Sequence, residues 1–235
     1  MLSRDEQTQF LRQRLRQIEA PSPAAAPISS GISALDALLP ARGFRQGTLI
    51  EWLGSGATTL ALFAARQACR AGPGALVVID PQRRFFPPAA AGLGIDLSRL
   101  VVVCPATLTD ASWAWNQALR CSAIAAVLGW PARLGSREFR RWQLAAEAGG
   151  ALGLLVRPAS AARGPSWADV RLHAQPLPAP GHRRWQVETL YCRGAESGRA
   201  VEIEIDEEGS FRETRSLPVV SALAAAAPAA RPAGA

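Results

Sequence analysis

The sequence contains no lysine, because all 26 of its basic side chains are arginine. This absence excludes Schiff-base chemistry on a lysine amine and a phosphate-binding loop that relies on a lysine.

The four cysteines, Cys69, Cys104, Cys121 and Cys192, form no CxxC pair and only two histidines accompany them. We therefore expect reduced thiols and no metal site. No apolar run reaches the ~18 residues of a membrane helix, and the polar start is not a signal peptide, so we expect a cytoplasmic protein.

Apolar, strand-like runs alternate with helix-like segments through most of the chain. The predicted strands are Thr48–Leu53, Ala75–Asp80, Leu100–Cys104, Ile124–Leu128 and Leu152–Val156. The predicted helices are Thr58–Ala71, Phe86–Leu93, Thr109–Ser122 and Ser136–Ala148, the last with Ser136 as its N-cap candidate. This alternation predicts an α/β fold in which helices flank a mostly parallel sheet. Further strands at Val170–His173, Trp185–Cys192 and Ala200–Ile205 predict an antiparallel C-terminal extension.

The composition divides the chain into three parts. Residues 1–27 are predicted to form a short amphipathic helix and a Pro/Ala-rich linker, residues 28–216 the core, and residues 217–235 a disordered Ala/Pro-rich tail. The apolar stripe of the N-terminal helix packs either on the core or on a partner. Of the formal net charge of +7, the positive excess lies mainly in residues 120–199.

A strand, a glycine-rich turn and a helix opening with two threonines form the context of a phosphate-binding loop. In a working GxxxxGK[ST] loop the amides wrap the phosphates, the lysine offsets their charge and the hydroxyl holds Mg²⁺. Here Ala57 occupies the lysine position and Glu51 the position of the first glycine. The turn is therefore about three residues too short to wrap a triphosphate. The degenerate loop comprises Gly54, Ser55, Gly56, Ala57, Thr58 and Thr59.

The sequence around this turn resembles the RecA family. The resemblance runs through ISSGISALDALLPARGFRQG (28–47), residues 77–107, SWADVRLHAQ (166–175) and RRWQVETLYCRG (183–194). The leading segment is similar to the ImuA subgroup. The resemblance implies a RecA-like three-layer core and an accessory role in SOS-induced, error-prone translesion DNA synthesis. The implied partners are an ImuB-like polymerase homologue and an error-prone DNA polymerase, with RecA itself as a further candidate.

The resemblance also implies that the catalytic positions of RecA are altered in this chain. The water-activating glutamate corresponds to Gln82, which can position water but cannot take its proton. The metal-supporting aspartate falls near Gly129, and the C-terminal lysine pair is reduced to Arg193. Together with Ala57, these losses predict a binding protein that hydrolyses no ATP and holds no cofactor.

An arginine-rich segment offers a candidate contact surface. Arg133, Arg137, Arg140 and Arg141 lie on or beside one predicted helix, interleaved with Trp130 and Trp142. Arginine and tryptophan are enriched at protein interfaces, and they also grip phosphates and stack on bases. The alternative is a solvated helix face with Trp142 in the core. The stretches that correspond to the DNA loops of RecA, Trp130–Ser136 and Pro158–Pro165, are short, so DNA contact is the weaker expectation.

Two other functions stay open. A weak, divergent ATPase of DNA recombination or repair would use Arg83 or Arg84 in place of the lysine, although arginine does not lengthen the turn. A cell-division inhibitor of the SulA type is the other alternative, but such chains are shorter and do not need a sheet that continues through Ile205.

Overall fold

The computed structural model describes residues 26–131, 134–179 and 183–205 in full and residues 211–217 as backbone. The helices are α1 (Ser33–Asp36), α2 (Ala57–Ala71), α3 (Pro87–Gly92), α4 (Leu108–Arg120) and α5 (Ser136–Gly149). The strands are β1 (Leu49–Leu53), β2 (Ala75–Ile79), β3 (Leu100–Val103), β4 (Ile124–Gly129), β5 (Leu152–Arg157), β6 (Val170–Leu177), β7 (Arg183–Cys192), β8 (Ala200–Ile205) and β9 (Phe211–Leu217). The predicted N-terminal helix and residues 218–235 of the predicted tail lie outside the described residues.

A nine-stranded sheet in the order β3-β2-β4-β5-β1-β6-β7-β8-β9 carries the fold. Strands β1 to β6 are parallel, and β7, β8 and β9 continue the sheet in antiparallel pairing. Every residue of β1 is buried, and β2 and β5 are buried along almost their whole length. Such continuous burial is typical of parallel strands covered by helices on both faces. The predicted α/β fold with an antiparallel C-terminal extension is confirmed.

Three details of the prediction were wrong. Val170–Leu177 pairs in parallel with β1, with Ile50 opposite Val170, because residues 158–169 carry the chain back across the sheet before the strand begins. Strand β9 was not predicted. Ser136 is the first helical residue of α5 and not its cap, because the extended residue before it is Gly135, which offers no side-chain hydrogen bond.

Helices cover the parallel part of the sheet on both faces and complete three layers. On one face the buried side of α2, which includes Leu60 and Phe63, packs on the larger core. On the other face α4 and α5 supply Trp115, Leu119 and Trp142 to the second core. None of the helices in the described part of the chain is long and apolar enough to span a membrane.

The carboxyl ends of the parallel strands define where a ligand site is expected. In open α/β sheets, ligands bind in the crevice outside these ends. Three segments begin there: the turn Gly54–Ala57 after β1, the loop Asp80–Phe86 after β2, and Trp130 after β4. The sequence-predicted nucleotide positions therefore do meet at one edge of the sheet.

Candidate functional site

Three backbone amides of the β1–α2 turn donate hydrogen bonds within the protein. Gly54 donates its N–H to the carbonyl of Arg157 at 3.1 Å, and Gly56 donates to the carbonyl of Ala174 at 3.4 Å. The N–H of Ala57 closes the turn on the carbonyl of Gly54 at 3.3 Å. In a phosphate-binding loop such amides point at the ligand. Here they are used to tie the turn to β5 and β6.

Two indole rings occupy the space beside this turn. The Trp130 Nε1–H donates a hydrogen bond to Thr58 Oγ1 at 3.2 Å, so the hydroxyl at the metal-ligand position of the motif has a protein partner. A Cβ added at Gly56 would lie 2.2 Å from Cδ1 of the buried Trp185. Glycine at this position is therefore required by the close approach of Trp185. Phe85 packs against Trp130, with ring centroids 6.4 Å apart.

The three positions that correspond to acidic residues or their neighbours in the RecA pattern, Asp80, Gln82 and Gly129, have different surroundings. Asp80 is buried, and its Oδ2 accepts a hydrogen bond from the N–H of Phe85 at 2.7 Å, which closes the loop after β2. Gln82 is exposed on this loop. At Gly129, an added Cβ would lie 2.7 Å from the carbonyl oxygen of Ile79 and 2.9 Å from Cζ2 of Trp115. The packing around Gly129 thus leaves no space for an aspartate side chain.

Glu51, which stands where the motif would have its first glycine, is the centre of a buried ion cluster. Its Oε1 lies 2.5 Å from Arg157 Nη1 and its Oε2 lies 2.5 Å from Arg171 Nε. The Glu51 side chain is fully buried, whereas the two arginine side chains keep 10% and 12% of their exposure. Arg171 also donates to the carbonyls of Ala161 and Ala162. The cluster joins β1 to β5 and β6 and fixes the turn that follows β5.

Arg193, which the resemblance to RecA places at the position of a lysine pair, forms an ion pair with Asp169 of the same chain. Its Nη1 lies 3.0 Å from Asp169 Oδ1, while Asp169 Oδ2 accepts the N–H of Leu49 at 3.2 Å. Burial raises the pKa of the Asp169 carboxyl, and the hydrogen bond from Leu49 and the charge of Arg193 oppose that shift. Through Asp169, Arg193 therefore ties the end of β7 and the start of β6 to β1.

The arginine-rich segment is only partly a surface. Arg137, Arg140 and Arg141 are exposed on α5. Arg140 donates to Gln143 Oε1 at 2.6 Å and lies over the ring of Trp167, 5.3 Å from its centroid. Arg133 lies outside the described residues.

Neither tryptophan of this segment belongs to that surface. The prediction of Trp142 as a contact residue was wrong, because its ring is buried and stacks on Trp115 with centroids 4.7 Å apart. Trp130, predicted to interleave with the arginines, instead turns toward Thr58. No sequence signal distinguished these two directions for Trp130.

The described residues were compared with the requirements of a metal site and of a reactive cysteine. Within them, no group of three or more His, Cys, Asp or Glu side chains could hold a metal ion. Burial raises the pKa of the Cys69 and Cys192 thiols, while Cys104 and Cys121 are exposed.

No protein-family model matches the chain. Similar sequences include RecA of Corynebacterium pseudotuberculosis, which is 39% identical over 105 residues, and RecA of Streptococcus pyogenes serotype M49, 41% identical over 81 residues. These matches cover 43% and 33% of this chain and 28% and 21% of the two RecA proteins, so the chain matches less than a third of their length.

The crystal structure of the RadB recombinase matches 80% of this chain and all of that protein, with a TM-score of 0.64 at 18% sequence identity. This structural likeness establishes the fold, and the RecA matches add sequence similarity over less than half of the chain. The chain therefore has a RecA-like fold and is related in sequence to RecA over part of its length.

Proposed function

We propose that this chain is a non-catalytic RecA-like accessory protein that binds other proteins. The observation that carries the proposal is that Thr58 and amides of its turn already form hydrogen bonds within the protein. The Thr58 hydroxyl accepts a hydrogen bond from Trp130, and the N–H of Gly56 donates to Ala174. A nucleotide with its metal ion needs both the hydroxyl and free turn amides. On this proposal the turn Gly54–Thr59 holds no nucleotide and the chain hydrolyses no ATP.

The assembly we propose is an SOS-induced, error-prone translesion synthesis complex. Similarity to RecA supports a role in DNA repair or recombination. The resemblance to the ImuA subgroup supports the finer assignment, in which the partners are an ImuB-like polymerase homologue and an error-prone DNA polymerase. RecA is a further candidate partner. The continuous sheet through β9 is more than a SulA-type inhibitor requires, and this favours the translesion role.

The exposed face of α5 is the partner contact that we propose for this function. The guanidinium of Arg140 is held by Gln143 and Trp167, so it loses little side-chain freedom on binding. Arg137 and Arg141 are exposed on the same helix. Charged groups at the rim of an interface act mainly by steering the partner and speeding its association.

Reversing charge on this face is expected to weaken the complex. The double substitution R137E/R140E should reduce affinity for the purified ImuB-like protein about tenfold, mainly through slower association at low salt. The domain should stay folded, with a modest fall in the thermal unfolding midpoint, because R140E removes the hydrogen bond to the buried Gln143 whereas Arg137 is exposed. Surface plasmon resonance at two salt concentrations measures the rates.

A matched control carries the same change in net charge. R70E/R183E reverses two exposed arginines, one on α2 and one on β7, and should bind like the wild type. Equal affinity of R137E/R140E and the wild type would remove α5 from the interface. Absence of any complex between the wild-type chain and the ImuB-like protein or the error-prone polymerase would contradict the proposed function itself.

A further inference from the structure

Trp167 is an exposed aromatic residue beside the arginine face of α5. It is 43% exposed, and the guanidinium of Arg140 lies over its ring, 5.3 Å from the centroid. The next residue, Ala168, is buried in the second core, to which α5 contributes Phe139 and Trp142. The segment before β6 therefore lies on the same face of the sheet as α5, and Trp167 and Arg140 form one continuous surface.

The outward side of α5 carries one apolar residue among its arginines. Arg137, Arg141 and Leu144 are exposed, and their spacing of four and then three residues places them on one side of the helix. Leu144 is 48% exposed and follows Arg140 by one helical turn. We call these four residues and Trp167 the α5–Trp167 surface.

Contacts within the chain hold Trp167 and Arg140 in place. The backbone N–H of Ala168 donates to Ser166 Oγ at 3.1 Å, in a local turn that encloses Trp167. Arg140 Nη1 donates to Oε1 of the buried Gln143 at 2.6 Å, which holds the guanidinium against the indole ring. Because these contacts restrict both side chains, the two residues lose little conformational freedom on binding.

The arginines of this surface have no counter-charge in the part of the chain that the structure describes. None of Arg137, Arg140 and Arg141 forms an ion pair with a described residue, and this includes Glu138 and Glu147 of the same helix. Arginine and tryptophan are the side chains most often found at the centre of protein interfaces. The combination of three positive charges with an exposed indole ring therefore favours a ligand that has both negative charge and an apolar group.

We propose that the α5–Trp167 surface binds a segment of the ImuB-like partner in which acidic residues flank a large apolar side chain. The apolar side chain packs on the exposed part of the Trp167 ring, and the carboxylates pair with the guanidinium groups of the three arginines. The inference rests on the proposed function and deepens it, because it makes Trp167 part of the α5 contact and specifies the chemistry of the partner segment.

A protein segment fits this surface better than a nucleic acid does. Arg140 already covers one face of the Trp167 ring, which leaves at most one face for a base. Leu144 offers no ring for stacking, and Glu147, which is exposed on the same helix, repels phosphates. Three arginines also neutralise too few phosphates for the affinity typical of nucleic-acid binding.

The test uses the full chain and the purified ImuB-like protein. W167A should weaken binding about tenfold, mainly through faster dissociation, because the apolar contact forms only in the complex. W167F, which retains an aromatic ring, should bind within about threefold of the wild type. Surface plasmon resonance measures the rates, and circular dichroism checks that both variants are folded.

The matched control is F86A. It truncates an aromatic side chain that is also exposed, but Phe86 follows β2 and lies outside the α5–Trp167 surface. F86A should bind like the wild type. With p-benzoylphenylalanine at position 167, irradiation should crosslink the chain to a partner peptide of net negative charge, and this readout does not depend on the stability of W167A.

The outcomes separate this inference from the proposed function. If R137E/R140E weakens the complex but W167A binds like the wild type, Trp167 is not used and only this inference fails. Equal weakening by W167A and F86A would also overturn it, as would a crosslink from position 167 to a positively charged peptide or to DNA added to the complex. If the wild-type chain does not bind the partner, the proposed function fails and this inference fails with it.

Discussion

Replacing Glu51 with glutamine is expected to lower the free energy of unfolding by about 3 kcal/mol. The substitution removes the negative charge between Arg157 and Arg171, whose nitrogens lie 2.5 Å from its two carboxylate oxygens. Two guanidinium groups then lie next to each other in a nearly buried site without a counter-charge. Breaking a buried ion pair costs about 3–5 kcal/mol, and the low end applies because both arginines keep some exposure to solvent. Urea unfolding followed by circular dichroism measures the loss.

The control for Glu51 is a more exposed pair of the same type. Arg184 and Glu202 form an ion pair across β7 and β8, with side chains 32% and 15% exposed. The substitution E202Q should cost only about 0–1 kcal/mol, because solvent screens this pair. Equal, small effects of E51Q and E202Q would mean that the Glu51 cluster does not hold β1, β5 and β6 together.

Truncating Trp142 to alanine is expected to cost about 3–5 kcal/mol of unfolding free energy. The ring stacks on Trp115 at an interplanar angle of 19°, and its Nε1–H donates to the carbonyl of Ser112 at 3.3 Å. The substitution therefore leaves a cavity between α4 and α5 and removes this hydrogen bond between the two helices. Differential scanning calorimetry should show a matching fall in the unfolding midpoint.

W113A is the matched control, because Trp113 lies on α4 but is exposed. Its stability should stay within about 0.5 kcal/mol of the wild type. The two tryptophans thus separate a core role from a surface role. A W142A protein of wild-type stability that no longer bound its partner would restore Trp142 as a contact residue.

The sequence predicts the parallel core because its strands are continuous apolar runs, which only a two-sided cover of helices explains. The return of the chain to a parallel β6 was missed, since nothing in residues 158–169 marks a crossing of the sheet. The burial of Trp142 was open to prediction: Phe139, Trp142 and Ala146 follow a helical apolar spacing, and Arg140 and Arg141 fall between them.

From the sequence, only the residues that depart from the RecA pattern at the candidate site could be identified. Ala57 and Gly129 mark the missing lysine and aspartate directly in the sequence. The ion pairs and the hydrogen bond found at the site join segments that are distant in sequence. Glu51 meets its arginines across 106 and 120 residues of chain, and Trp130 meets Thr58 across 72. Pairings over such distances become visible only once the strand order is known.

The proposed loss of nucleotide binding is tested most directly by isothermal titration of the purified chain with ATP and Mg²⁺. We predict no saturable heat for the wild type, and the same flat titration for T58A, because the Thr58 hydroxyl and three amides of the turn are already bonded within the protein. A saturable binding curve with the wild type that T58A abolishes would contradict this prediction. It would show that the chain binds ATP and that Thr58 takes part in the binding.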